Sequence, residues 1–190
     1  MNVFCYVPGG YVGDLVSVEV DIRRGLPTTD IVGLPDSAVR EARDRVRVAI
    51  RRAGLEYPQD RVLVNLAPAG VRKTGASFDL AIAVGILAQS GQIPAAALKV
   101  AGNAVLVLGE LQLNGQVRAV RGVLSAVAAA SERGITSVLV PLTNRAEAEV
   151  LASGPVWGAR SLAEAVALLS GRSMNEDRTS AESGDHEGSD

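Results

Sequence analysis

Few side chains in this 190-residue chain can do chemistry, and their types narrow what that chemistry is. The only histidine, His186, lies in a polar C-terminal stretch, and the single cysteine is Cys5. Those two counts exclude an internal disulfide, a CxxC zinc site, a Ser-His-Asp triad, a Cys-His pair and a histidine-ligated metal in the folded part. A catalytic side chain would have to be a carboxylate, an arginine or a lysine, and only Lys73 and Lys99 stand beside 17 arginines. Glu19 and Asp21, two residues apart on one strand face, would suit a metal only with a third convergent oxygen. Without one they read as residues of a wet face, so no metal site is expected. No GxxxxGK followed by Ser or Thr occurs, and no GxGxxG follows a strand, so these residues build no phosphate cradle of the usual kind.

The arginines are the other group with chemical potential. At about 100° per residue, Arg40, Arg43, Arg47 and Arg51 fall within an arc of roughly 80° on one helix. Such a stripe can neutralise phosphates, with log affinity falling linearly in log salt. The competing reading is a solvated face whose charges are met by Glu41 and Asp44.

The elements that position these residues are legible from patterning. The stretch LVSVEVDI at 15–22 alternates in the manner of a strand with one wet face, and RVLVNLAP at 61–68 and SVLVP at 137–141 suit buried strands. Asn114-Gly115 between AVLVLGELQL and QVRAV predicts a hairpin closed by a two-residue turn. Pro35-Asp36-Ser37 opens a helix that Gly54 closes, with Val39, Ala42, Val46, Ala49, Ile50 and Ala53 on its apolar arc. Residues 79–90 are apolar nearly all round and predict a buried helix, with Ser77 and Asp79 as its caps. Further helices are expected near 122–133, 144–152 and 161–170. Trp157 is expected to anchor a short strand near the end, and Cys5 to act as a small buried hydrophobe. Strands mixed with helices, plus a hairpin, give an α/β (α+β) domain with a mixed sheet.

Apolar residues are 47% of the chain and aromatics only 3%, so the core is aliphatic and base-stacking platforms are scarce. The net charge of −2 hides a division. Residues 172–190 carry two positive and six negative side chains, a composition that cannot bury enough surface to order itself. They are expected to form a disordered acidic linker or tail after a domain at 1–171. No apolar run is long enough to span a membrane and no signal peptide opens the chain, so no membrane partner and a cytoplasmic location are expected.

Three segments carry a specific resemblance. GLPTTDIVGLPDSAVREARDRVRVAI at 25–50, NLAPAGVRKTGASFDLAIAVGIL at 65–87 and LGELQLNGQVRAVRGVLSAV at 108–127 resemble the N-terminal domain of the ComM/YifB family of magnesium-chelatase-like AAA+ ATPases. The resemblance runs from about residue 3 to 170. It implies a Lon-protease-like domain of the ribosomal protein S5 domain 2-like fold, followed in full-length members by an AAA+ module. That module would use ATP and Mg2+, assemble as a hexamer and drive branch migration of DNA in natural transformation. Within a hexamer the arginine stripe would be repeated around a pore.

Active Lon domains use a Ser-Lys dyad, and the resemblance places both positions. RKTGASFD at 72–79 is similar to the nucleophile segment, with Ser77 at the serine, while GELQLNGQVRAVRGVL at 109–124 puts Leu124 at the lysine. A serine hydroxyl needs a base within roughly 3 Å, so catalysis is absent unless another amine substitutes. Lys73, four residues before Ser77, is the alternative base, expected to be exposed and protonated with a pKa near about 10.4. Where the family often reads PKEGGRFDL, this chain has Ala76-Ser77 in place of Gly-Arg and loses one positive charge from that loop. The resemblance thus implies a non-catalytic domain for assembly or DNA guidance. The alternatives are a degenerate peptidase using Ser77 with Lys73 and a protein-interaction module recruiting partners through the acidic tail.

Overall fold

The computed structural model describes residues 1–9, 12–94 and 103–171; Lys99 and the acidic stretch at 172–190 lie outside them. The strands are β1 (Asn2–Val7), β2 (Asp14–Arg23), β3 (Thr28–Val32), β4 (Arg61–Ala67), β5 (Ala104–Val107), β6 (Glu110–Leu111), β7 (Val117–Arg118), β8 (Ser137–Pro141) and β9 (Val156–Ala159). The helices are α1 (Ser37–Arg52), α2 (Asp79–Gln89), α3 (Val123–Glu132), α4 (Arg145–Glu149) and α5 (Leu162–Leu169). A seven-stranded mixed sheet runs in the order β3-β4-β2-β1-β5-β8-β9, and β6 with β7 forms a separate ribbon. The antiparallel neighbours are β1–β2 and β2–β4; the other four pairs are parallel. Parallel neighbours need a crossover. Here α1 joins β3 to β4, α3 lies between β5 and β8, and α4 lies between β8 and β9.

The period-2 reading of β2 holds. Val16 and Val18 are buried, and a Cβ on Gly85 of α2 would sit 3.0 Å from Val20 and 3.5 Å from Val18, so a larger residue there would press on the Val20 side chain. Glu19 and Asp21 alternate onto the opposite face, where Glu19 accepts a 2.7 Å hydrogen bond from Asn65 and Asp21 pairs with Arg23. No group of three metal-ligating side chains occurs among the described residues. The neighbouring β4 repeats the alternation: Val62, Val64 and Leu66 are buried while Arg61 and Leu63 are exposed.

The helix α1 follows its sequence signals. Asp36 Oδ1 accepts from the Val39 amide at 2.8 Å. At the far end Gly54, at φ 74°, donates to Arg51, and Leu55 donates to Ile50, the paired bonds of a left-handed glycine exit. The predicted apolar arc is buried at Val39, Ala42, Val46, Ala49 and Ile50. In α2 every residue from Asp79 to Leu87 is buried. Each aliphatic side chain fully removed from water there contributes about 1.5–3 kcal/mol, so α2 is the central pillar of the domain.

Two local expectations are corrected. The hairpin exists, but Asn114 is not left-handed; only Gly115 is, at φ 84°. Gly115 donates to Gln112 and Gln112 to Gln116, giving a turn over 112–115 with a glycine bulge in place of a two-residue loop. The second correction concerns the start of α2, where no side chain caps the helix. Asp79 faces inward to an arginine instead, for reasons given below. No helix among the described residues is long and apolar enough to cross a membrane.

Candidate functional site

The loop from β4 to α2 carries Lys73 and Ser77, and it is pinned by the turn that precedes α1. The Lys73 amide donates to Leu34 at 3.1 Å and its carbonyl accepts from Asp36 at 2.9 Å. Gly75 adds a 3.3 Å bond to Asp36 Oδ2. The pinned turn itself holds Gly33 at φ 99° and Leu34 at φ 61°, a conformation that costs a non-glycine residue about 1–2 kcal/mol. Backbone bonds on both sides of Lys73 turn its side chain inward, and it is fully buried. Its Nζ donates to the Pro68 carbonyl. The expected exposed lysine is therefore corrected: desolvation lowers its pKa, with Asp14 pulling the other way.

Ser77 sits half-buried just before α2. Its carbonyl accepts from Gly109 N at 3.2 Å and from Cys5 Sγ at 3.6 Å. Its hydroxyl makes no hydrogen bond among the described residues, and none joins it to Lys73. Leu124 lies in the first turn of α3, 40% exposed, so the position that resembles the dyad lysine presents hydrocarbon to solvent. The structure thus holds Ser77 and Lys73 in one loop without coupling them. Cys5 is the small buried hydrophobe expected, its thiol pushed up to about 12 by burial.

The strongest charge pairing in the domain was not anticipated. Asp79, with no exposed surface, accepts from Arg45 Nε at 2.9 Å and from the same guanidinium's terminal nitrogen at 3.0 Å. The Leu111 amide donates to it at 3.2 Å, and Arg45 also donates to the Ala38 carbonyl at 2.8 Å. Burial pushes the Asp79 carboxyl up while Arg45 pulls it down, burial being the larger cause. The same contact raises Arg45. This pair joins α1, α2 and the β6–β7 ribbon behind the loop that carries Ser77. The sequence held a signal for it: an aspartate opening the all-apolar DLAIAVGIL needs a buried partner, because a lone buried carboxylate is very costly.

The arginine stripe is divided. Arg47 turns inward, its guanidinium 5.3 Å over the Tyr57 ring and 3.3 Å from Thr29 Oγ1, which in turn lies 2.7 Å from the Tyr57 hydroxyl. Arg40, Arg43 and Arg51 remain exposed. Of the two acids expected to neutralise the stripe, Glu41 approaches Arg45 instead, and Asp44 reaches only Arg43, at 3.6 Å between half-exposed groups. Such a contact is worth less than about 1 kcal/mol. Arg40 and Arg51 make no ion pair among the described residues. At about 1.5 Å per residue, the exposed charges from Arg40 to Arg51 span about 16 Å.

A mixed sheet crossed by α1 and α2, with a serine in the loop entering α2 and a hairpin before α3, defines a Lon-like α/β domain. Lon protease 2 of Bacillus subtilis is 25% identical over 155 residues, 73% of this chain and 27% of that protein. A family model described as subunit ChlI of Mg-chelatase matches residues 18–144, and the chain belongs to this magnesium-chelatase-like family. Competence protein ComM of Haemophilus influenzae is 40% identical over 163 residues, 86% of this chain and 31% of ComM. A protein named YifB in Escherichia coli is 39% identical over 157 residues, 83% of this chain and 30% of its own length. The chain spans about a third of the length of the curated relatives it matches.

Proposed function

We propose that this chain is the non-catalytic N-terminal domain of a ComM/YifB-type AAA+ ATPase that acts on DNA by branch migration, where it serves assembly or guides the nucleic acid. One observation carries the non-catalytic half: the one described amine near Ser77 in sequence is buried with its proton directed at the Pro68 carbonyl, while Leu124 supplies no base. The nucleotide chemistry of such a protein, with ATP and Mg2+, belongs to an AAA+ module. No GxxxxGK followed by Ser or Thr occurs in residues 1–190. Hexamer formation and a cytoplasmic setting accompany the same reading.

The DNA half rests on Arg40, Arg43 and Arg51, whose charges meet no acid among the described residues beyond the weak Asp44 contact. A stripe of this kind binds phosphates without reading bases, and repetition around an oligomer multiplies a weak contact. Anisotropy of a labelled oligonucleotide titrated with the protein at several salt concentrations tests it. Three phosphate contacts predict a slope of about −2 to −3 in log affinity against log salt, lost in an R40E/R43E/R51E variant. Salt-independent binding, or binding indifferent to those substitutions, overturns the DNA assignment. For the peptidase alternative, digestion of an unfolded protein substrate that disappears in S77A overturns the non-catalytic half.

A further inference from the structure

Within the α1 stripe, Arg47 is half-buried where Arg40, Arg43 and Arg51 are exposed, and it is held there without a counter-charge. Its guanidinium lies 5.3 Å over the Tyr57 ring, within the range of a cation–π contact, and donates to Thr29 Oγ1 at 3.3 Å. Both partners are themselves fixed: Thr29 is 6% and Tyr57 5% exposed, and their hydroxyls share a 2.7 Å hydrogen bond. Arg47 makes no ion pair among the described residues. The acids beside it in sequence or on β3 are engaged elsewhere, Glu41 with Arg45, Asp44 with Arg43 and Asp30 with Arg61. The Arg47 Nε is buried and has no acceptor among the described residues. A half-buried charge without a carboxylate and a buried N–H without an acceptor are each a cost that a native fold keeps for a reason. We infer that Arg47 is the anchor of a preorganised phosphate site on α1, with Tyr57 and Thr29 as the residues that position it.

The row around Arg47 selects the ligand. Arg43, Arg47 and Arg51 are four residues apart and so follow one another along one face of α1 at steps of about 6 Å. A single carboxylate would answer one of these charges, whereas a phosphodiester chain brings an anion to each. The planar fork of an arginine also matches a pair of phosphate oxygens, which a lysine ammonium does not. A free surface arginine gives up rotamer freedom when it forms such a contact. Arg47 has already given it up on folding, while Arg43, with its side chain 54% exposed, has not. That difference favours the held side chain by about two- to tenfold in affinity. The consequence for nucleic acid rests on the proposed DNA role of α1, whereas the phosphate site itself stands on Arg47, Thr29 and Tyr57.

The test compares lysine variants in the full chain, because lysine keeps the charge and loses the held fork. With a labelled oligothymidylate, R47K should weaken binding about two- to tenfold with the salt slope unchanged, while R40K and R43K change it by less than about twofold. An R47K variant that binds no worse than R40K overturns the anchor. Y57L should reproduce the R47K loss in the parent and add nothing in an R47K background, since both changes release the same side chain. T29V, a smaller perturbation, repeats this comparison should Y57L melt below the assay temperature. Equal losses in the two backgrounds overturn the positioning role. In the isotope-labelled full chain, inorganic phosphate should shift the Arg47 Nε–Hε signal more than those of Arg40 and Arg51, and an Arg47 signal that does not move overturns the site. Phosphate that shifts Arg47 in a protein that binds no oligonucleotide supports the site and removes the DNA assignment. Oligonucleotide binding that R40E/R43E/R51E abolishes and R47K leaves intact keeps the DNA assignment and overturns the anchor, so the two failures are distinguishable.

Discussion

Replacing Arg45 by Met removes the only cationic partner, among the described residues, of a carboxylate with no exposed surface. Asp79 loses the bonds at 2.9 and 3.0 Å and keeps only the Leu111 amide at 3.2 Å. Stripping one partner from a buried ion pair costs about 3–5 kcal/mol, because the remaining charge is neither solvated nor matched. The Glu41 contact at 3.6 Å involves an exposed carboxylate and adds less than about 1 kcal/mol. For a domain of this size each kcal/mol moves Tm by about 2–4 °C, so R45M should melt about 6–20 °C below the parent. Urea unfolding followed by the single tryptophan, Trp157, gives the free energy directly. The R45M/D79L double variant separates charge from packing. It leaves the Leu111 amide unpaired, costing about 1–3 kcal/mol, yet should be more stable than R45M alone because no buried charge remains. An R45M cost below about 1 kcal/mol, or a double variant no better than R45M, would refute the assignment of Asp79 as the ionic tie between α1, α2 and the β6–β7 ribbon.

Gly33→Ala should destabilise by more than about 2 kcal/mol, since φ is 99° and the new Cβ would fall 2.0 Å from the Leu66 carbonyl; Gly91→Ala, at φ 80° with open space around it, should cost only about 1 kcal/mol. Equal costs in thermal melts would contradict this. Cys5 should resist a disulfide reagent at pH 8 until denaturant is added, and full reaction of the native protein within minutes would contradict its burial. Lys73 has a folded pKa below the unfolded 10.5, so between those values only the unfolded chain holds the proton and raising pH favours the fold. Relative to Lys73→Met, the parent's unfolding free energy should therefore rise as pH climbs toward 10.5, and a pH-independent difference would contradict the buried ammonium.

The sequence was most legible where one physical rule dominates. The alternation of β2, the apolar arc of α1 between Asp36 and Gly54, and the all-apolar α2 are each set by burial or capping and appear where expected, whereas β4, expected as a buried strand, buries Val62, Val64 and Leu66 and exposes Arg61 and Leu63. The short strand expected around Trp157 is β9. The strands β1 and β3 were not anticipated. NVFCYV lacks polar alternation, and TTDIV is a short edge strand that exposes Thr28, Asp30 and Val32. The site was less legible than the fold because its key facts are long-range. Burial of Lys73 depends on backbone bonds to Leu34 and Asp36, almost forty residues away, and the Arg45–Asp79 pair spans 34 positions. On the helix wheel Arg45 lies on the flank of the apolar arc away from the stripe, so like-charge spacing does not mark the arginine that the buried Asp79 requires. By spacing Arg47 belongs to the stripe, but Tyr57 and Thr29 draw it inward.

The proposal that Ser77 has no working base is tested most directly by reaction of the native protein with a serine-reactive fluorophosphonate, followed by intact-mass measurement and compared with S77A. A hydroxyl with no amine beside it should give no adduct in either protein over hours at neutral pH. A stoichiometric adduct mapped to Ser77 in the parent and missing from S77A would show an activated nucleophile and contradict the non-catalytic assignment.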